Sequence, residues 1–217
     1  RDAGGLWDKY PVEQVATPEG YARNPEQVIN FYNERRKQLL DVVPNAGHLG
    51  VADLERDFNV TVVTQNVDNL HERAGSTHVI HLHGELTKVC SSRDPYNPHF
   101  VKELAPEEYE VKLGDKAGDG TQLRPFIVWF GESVPEIETA IRYVEQADIF
   151  VIIGTSLNVY PAAGLLNYVP RAAEVYLIDP KPVDTHVMRP IHVIQKGASE
   201  GVKELKALLT VTQPPLP

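Results

Sequence analysis

The stretch VIHLHGELTKVC, residues 79–90, sets His81 and His83 one residue apart, ahead of a glycine and the only cysteine in the chain. Three readings suit these residue types: the remnant of a metal site, a catalytic base on a loop, or a strand whose histidines fill space. Side chains alternate along an extended segment, so the two rings face opposite sides and do different jobs. A second group of polar residues gathers where apolar runs end. VTVVT (60–64) leads into Gln65, Asn66, Val67 and Asp68, FVIIG (150–154) into Thr155 and Ser156, and VYLI (175–178) into Asp179. Each tip alone suits a helix cap, which Asp68 or Ser156 would supply. A carboxamide pair, a hydroxyl pair and a carboxylate at three tips together suit a ligand with amide and ribose groups, a nucleotide.

The elements that must position these groups follow from the pattern of apolar residues. NVTVVT, PFIVWF, DIFVIIGT, EVYLID and IHVIQ are short, apolar and β-branched, the look of buried parallel strands. Helical stretches are expected at 46–57, 67–74, 136–146, 162–168 and 200–209. Strands alternating with helices predict an α/β fold, a parallel sheet with helices on both faces. Two inserts break the rhythm. Residues 17–40 read as helical, with Thr17 as cap and Pro18 at the first helical position. Residues 86–122, rich in Pro, Gly, Asp and Tyr, read as a loop-rich, partly β insert. The expected division is a main domain of 1–17, 41–85 and 123–211, a small lobe of 18–40 and 86–122, and a tail of 212–217.

In the helical insert Val28, Tyr32, Arg35 and Leu39 share one face. An arginine on an apolar face wants an anion; the alternative is a solvated basic run, Arg35-Arg36-Lys37, balanced by Glu34. With 217 residues the chain holds one large α/β domain and a substantial core. One cysteine allows no internal disulfide, which fits a cytoplasmic setting. No apolar run approaches the roughly 20 residues of a membrane span. The net charge of -9 argues against non-specific nucleic-acid binding.

TQNVDNLHERAG (64–75), followed by His83-Gly84, resembles the sirtuins, whose central motif has the form T-Q-N-[IV]-D-x-L-H-x-x-A-G and then H-G. The likeness continues through PFIVWFGE (125–132), GTSLNVYPAAG (154–164) and KGASEGVKEL (196–205). The resemblance implies a Rossmann-like domain that uses NAD as co-substrate to remove acyl groups from lysine side chains of proteins, yielding nicotinamide and an acyl-ADP-ribose. It makes His83 the base that takes a ribose hydroxyl proton, and leaves His81 a structural or supporting part. Asn66 and Asp68 then hold the nicotinamide carboxamide, and Gln65 a ribose. Gly154, Thr155 and Ser156 line the adenosine-side ribose, with Asp179 where many relatives carry Asn. Arg1 and Trp7 match the end of the cofactor loop, and Ala198 lies on the cofactor side. Val128, Phe130, Gly131 and Val159 match the substrate side. Tyr32 and Arg35 resemble the pair by which desuccinylase-type members grip an acyl carboxylate, and ATPEGY (16–21) matches their wider pocket. The expected preference is succinyl- or malonyl-lysine with residual deacetylation.

Two departures qualify the match. Relatives hold a structural zinc with two C-x-x-C pairs, which here read Cys90-Ser91-Ser92-Arg93 and GDKAGDG (114–120), so no zinc is expected. RDPYNPHF (93–100) is expected to supply packing in its place. The family's first strand and its Gly-Ala-Gly phosphate turn would precede Arg1, and the sequence does not include them. Two other activities stay open at this point: mono-ADP-ribosyl transfer to protein, and a non-catalytic module that binds NAD or ADP-ribose.

Overall fold

The computed structural model describes residues 5–155, 162–183 and 187–211. Its helices are α1 (Leu6–Lys9), α2 (Val12–Val15), α3 (Pro18–Arg23), α4 (Pro25–Leu39), α5 (Ala46–Asp53), α6 (Leu70–Ala74), α7 (Ile137–Val144) and α8 (Ala198–Val211). Its strands are β1 (Val62–Thr64), β2 (Val79–His81), β3 (Gly84–Ser91), β4 (Lys102–Glu103), β5 (Leu123–Ile127), β6 (Ile149–Ile153), β7 (Glu174–Ile178) and β8 (His192–Ile194). The chain forms two compact units: residues 1–42, 64–69 and 81–135, and residues 43–63, 70–80 and 136–217.

In the first unit the capping chemistry acts as the sequence says. The Thr17 side chain accepts the Gly20 N–H and Pro18 opens α3. Asn24 then ends α3 and caps α4 by accepting the Gln27 N–H, so the expected single helix is two. The buried face of α4, with Val28, Phe31 and Tyr32, packs against Leu6, Val15, Leu86, Ile127 and Trp129. This shared core is why residues before 18 and after 122 join the two inserts in one unit, where the sequence division separated them. The run PFIVWF corrects another expectation. It supplies the end of β5, which pairs antiparallel with β3 in the order β4-β3-β5, not with the parallel strands. A short apolar run specifies burial and leaves strand direction to the chain's path, which here turns back through residues 92–122.

The second unit carries the α/β, Rossmann-like part. β6, β7 and β8 run parallel in that order, with Val151 opposite Tyr176 and Leu177 opposite Val193. β1 pairs with β2 in a separate two-stranded ladder. Bonds from Val62 N–H to the His78 carbonyl and from Leu82 N–H to the Thr64 carbonyl advance in the same chain direction, the parallel pattern. Glycines let α5, α8 and the sheet approach closely. A side chain at Gly50 would meet Val202 at 2.7 Å, and one at Gly201 would meet Ile178 at 2.2 Å. Leu54, Tyr176, Ile178, Ile194, Val202 and Leu205 form the core between them. The helix expected from residue 67 starts only at Leu70, and 162–168 is a 3-10 helix. No described helix is long and apolar enough to cross a membrane.

Candidate active site

Because α6 starts late, residues 65–69 leave β1 as an irregular loop. Its backbone is held from several sides. Thr64 Oγ1 accepts the Asn66 N–H at 3.0 Å, His81 Nδ1 lies 3.1 Å from the Asn66 carbonyl, and the Leu86 N–H reaches the Val67 carbonyl at 2.7 Å. The Asn66 side chain is exposed, while Gln65 and Asp68 are half-buried. Thr64 is a support that the sequence reading missed, with a hydroxyl two residues ahead of Asn66 as the available signal; His81 was expected in a structural or supporting part.

The H-L-H-G string makes a turn between β2 and β3. Leu82 is fully buried and its N–H bonds the Thr64 carbonyl at 2.9 Å. Gly84 has φ +84°, and a Cβ there would stand 2.1 Å from the Phe126 carbonyl oxygen. Only glycine fits. Between these two fixed neighbours His83 is half-buried, with its carbonyl accepting the Val128 N–H at 2.9 Å. The turn therefore presents one imidazole from a backbone tied to β1 on one side and to the end of β5 on the other.

α4 separates two consecutive arginines. Arg36, 4% exposed, donates to the carbonyls of Tyr109 and Leu86 and to Asn33 Oδ1. Burial, and then the charge of Arg35, pulls its pKa down to about 10. The solvated reading of the basic run thus fails for Arg36, whose head replaces water by three oxygen acceptors. Arg35 is half-buried over the rings of Trp7, Tyr32 and Phe31, at 5.1, 5.7 and 5.8 Å. No hydrogen bond or ion pair to it is present among the described residues. Burial lowers its pKa, against the opposing influence of Tyr32 and Asp68.

Tyr32 sits on the expected face, but the residue is 1% exposed, and its hydroxyl donates to the Val15 carbonyl at 2.9 Å and accepts from Trp129 Nε1 at 3.1 Å. It can donate to an acyl carboxylate only by leaving Val15. Trp7 packs edge-on to Phe31 and stacks under Arg35, so the structure groups it with this aromatic cluster.

Residues 128–131 follow β5 as an anchored loop. Glu132 accepts both Arg124 terminal nitrogens and the Trp129 N–H, and the Arg124 guanidinium lies 3.8 Å over the Trp129 ring. Phe130 is 68% exposed, with its N–H on the Ala16 carbonyl, and Gly131 turns at φ +90°. The clamp of Arg124 and Glu132 was not anticipated from sequence.

In the second unit Gly154 ends β6 at φ +64°, its N–H on the Ile178 carbonyl, and Thr155 follows half-buried. Asp179 ends β7 and accepts the Lys181 N–H at 2.8 Å, the bland capping task. Ala198 opens α8 against Gly47. Arg1, Ser156 and Val159 lie outside the described residues.

Where the resemblance places a zinc site, this insert carries a hydrogen-bonded knot. Ser91 donates to Asp119 at 2.6 Å, contacts Thr121 Oγ1 at 3.0 Å, and accepts the N–H groups of Arg93 and Asp94. Ser92 donates to the Gln122 carbonyl and meets the Tyr21 hydroxyl. Burial pushes the Cys90 thiol up to about 12, so it stays protonated. The described residues contain no group of three His, Cys, Asp or Glu able to hold a metal, and these side chains do not fit a closed zinc site.

The Sir2 family pattern matches residues 1–161. The chain belongs to the Sir2 family. It is 84% identical over 209 residues to the NAD-dependent protein deacylase of Bacteroides thetaiotaomicron, covering 96% of this chain and 89% of that protein. It is 47% identical over 205 residues to the NAD-dependent protein deacylase of Helicobacter pylori, covering 94% and 87%. Among solved structures, a Sir2 homologue–NAD complex aligns with TM-score 0.79 at 38% identity, over 95% of this chain and 80% of that one.

Proposed function

We propose that this chain is an NAD-dependent protein-lysine deacylase that takes succinyl and malonyl groups as well as acetyl. NAD, when bound, supplies a ribose carbon made reactive by a cationic nicotinamide leaving group. His83 takes the ribose hydroxyl proton, Asn66 and Asp68 hold the carboxamide, and Gln65 contacts the ribose. Gly154, Thr155, Ser156, Asp179, Ala198, Arg1 and Trp7 are the remaining cofactor residues of this reading, and Val128, Phe130, Gly131 and Val159 its substrate residues. The support for the base is local: imidazole is the side chain whose ordinary chemistry suits proton removal near neutral pH, and the turn that bears His83 is pinned on both flanks. A cytoplasmic setting, read from the single cysteine, goes with this assignment.

The acyl preference rests on Arg35, a cation among aromatic rings with no described hydrogen-bond partner. The net charge of -9 does not oppose it, because charges beyond about 8 Å are largely screened at physiological salt. A guanidinium about 4 Å from a carboxylate, at an effective dielectric of about 20, gains on the order of 4 kcal/mol before desolvation. Changing Tyr32 as well would strip partners from Val15 and Trp129, so Arg35→Met alone is the cleaner probe. The expected result is loss of desuccinylation by at least about tenfold more than deacetylation. Equal losses would remove the acidic-acyl assignment. Mass spectrometry should show acyl-ADP-ribose, which His83→Ala abolishes; an ADP-ribosylated protein in its place would identify a transferase.

A further inference from the structure

The proposed chemistry uses His83 and leaves its neighbour His81 without a part. Yet His81 is 9% exposed, and an imidazole is costly to bury unless its nitrogens are matched. Both are. Nδ1 lies 3.1 Å from the Asn66 carbonyl, and since a carbonyl oxygen only accepts, Nδ1 carries the hydrogen. Nε2 faces Glu85 Oε1 at 3.9 Å, and Glu85 in turn is held by Lys88 Nζ at 2.7 Å. The Asn66 residue is thus gripped at both ends: its N–H by Thr64 Oγ1 and its carbonyl by His81. Its exposed carboxamide projects from a root that cannot swing.

We infer that His81 is a positioning residue: by donating Nδ1–H to the Asn66 carbonyl, it sets the direction in which the Asn66 carboxamide leaves the loop toward the nicotinamide amide. This assignment rests on the deacylase reading. It concerns the co-substrate side, because the residue that His81 grips, Asn66, lies in the 65–68 loop. Glu85, held by Lys88, places its carboxylate 3.9 Å from the other ring nitrogen.

The test uses the full chain, NAD, an acetyl- or succinyl-lysine peptide, and free nicotinamide as inhibitor. His81→Leu removes the donor at similar bulk. It should raise KM for NAD and the nicotinamide inhibition constant by about tenfold, since small misplacements of a positioning group cost that much or more. KM for the peptide should stay within about twofold. His81→Asn puts an amide nitrogen where Nδ1 stands and should recover most of the loss. Thr64→Val, which removes the other grip at constant shape, should shift the same NAD-side constants if His81→Leu does not fold. A parental KM for NAD in His81→Leu, a parallel rise for NAD and peptide, or a His81→Asn enzyme as poor as His81→Leu overturns the assignment. A parent chain that consumes no NAD in the presence of either peptide overturns the deacylase reading itself, a result distinct from all of these.

Discussion

The loop after β1 and the turns after β6 and β7 occupy the same place in their respective strands, at the carboxyl ends, but they are fixed differently. After β1 the grips lie outside the strand's own ladder: the His81 side chain on Asn66, Leu86 on Val67, and beyond them Gly84 wedged against Phe126. After β6 and β7 the fixing is part of the regular ladder: Gly154 bonds Ile178, Asp179 bonds Ile194, and Asp179 caps its own bend. A loop held by contacts outside a ladder has its side chains aimed by those contacts, and a change in any support moves the site. A tip that continues a regular strand is as good as the packing behind it, and damage there appears first as lost stability.

That difference can be broken most sharply at Gly84. A Cβ at φ +84° meets backbone, which cannot yield as a side chain does. Gly84→Ala should cost more than about 3 kcal/mol, lower the melting temperature by roughly 6–12 °C, and abolish deacylation in whatever folds. An active variant with a parental melting curve would show that the turn is not fixed as described. Gly201→Ala is the matching change behind β7, where the obstacle is the Ile178 side chain. Overpacking of this kind costs about 1–3 kcal/mol. Denaturant melts should show that loss, while KM for NAD in the folded protein stays parental; a KM shift comparable to that of His81→Leu would erase the contrast.

The smallest effect belongs to the polar knot. Hydrogen bonds from Ser91 and Thr121 hold the Asp119 carboxyl down at about 2, against about 3.9 for an ordinary aspartate. A depressed carboxylate contributes stability that is present above its unfolded pKa and lost as the pH falls through its folded value. The stability gap between the parent and Ser91→Ala should therefore be constant near neutral pH and narrow as pH drops from about 4 toward 2. A metal chelator should leave the parent's melting temperature unchanged; a chelator-induced drop would restore the case for a bound metal.

Local rules were legible in the chain. Thr17 and Pro18 set the start of α3 as read, because a cap acts on an N–H only three residues away; Asn24 and Pro25 follow the same rule but were not read as a break. The runs at 149–153 and 174–178 announced parallel strands because burial on both faces demands continuous apolar residues. The motif residues at 64–68 and 81–84 carried the family resemblance in their order, and it was the resemblance, not residue type alone, that gave them expected roles. Tertiary structure decided what no neighbour in sequence specifies. It made β5 antiparallel, put Arg36 inside and Arg35 over the rings, tied the Tyr32 hydroxyl to Val15, and turned His81 onto Asn66. Each of these depends on a partner brought close only when the chain closes on itself, where the available oxygen acceptors and the shape of the core, not residue type, determine which side chain stays with water.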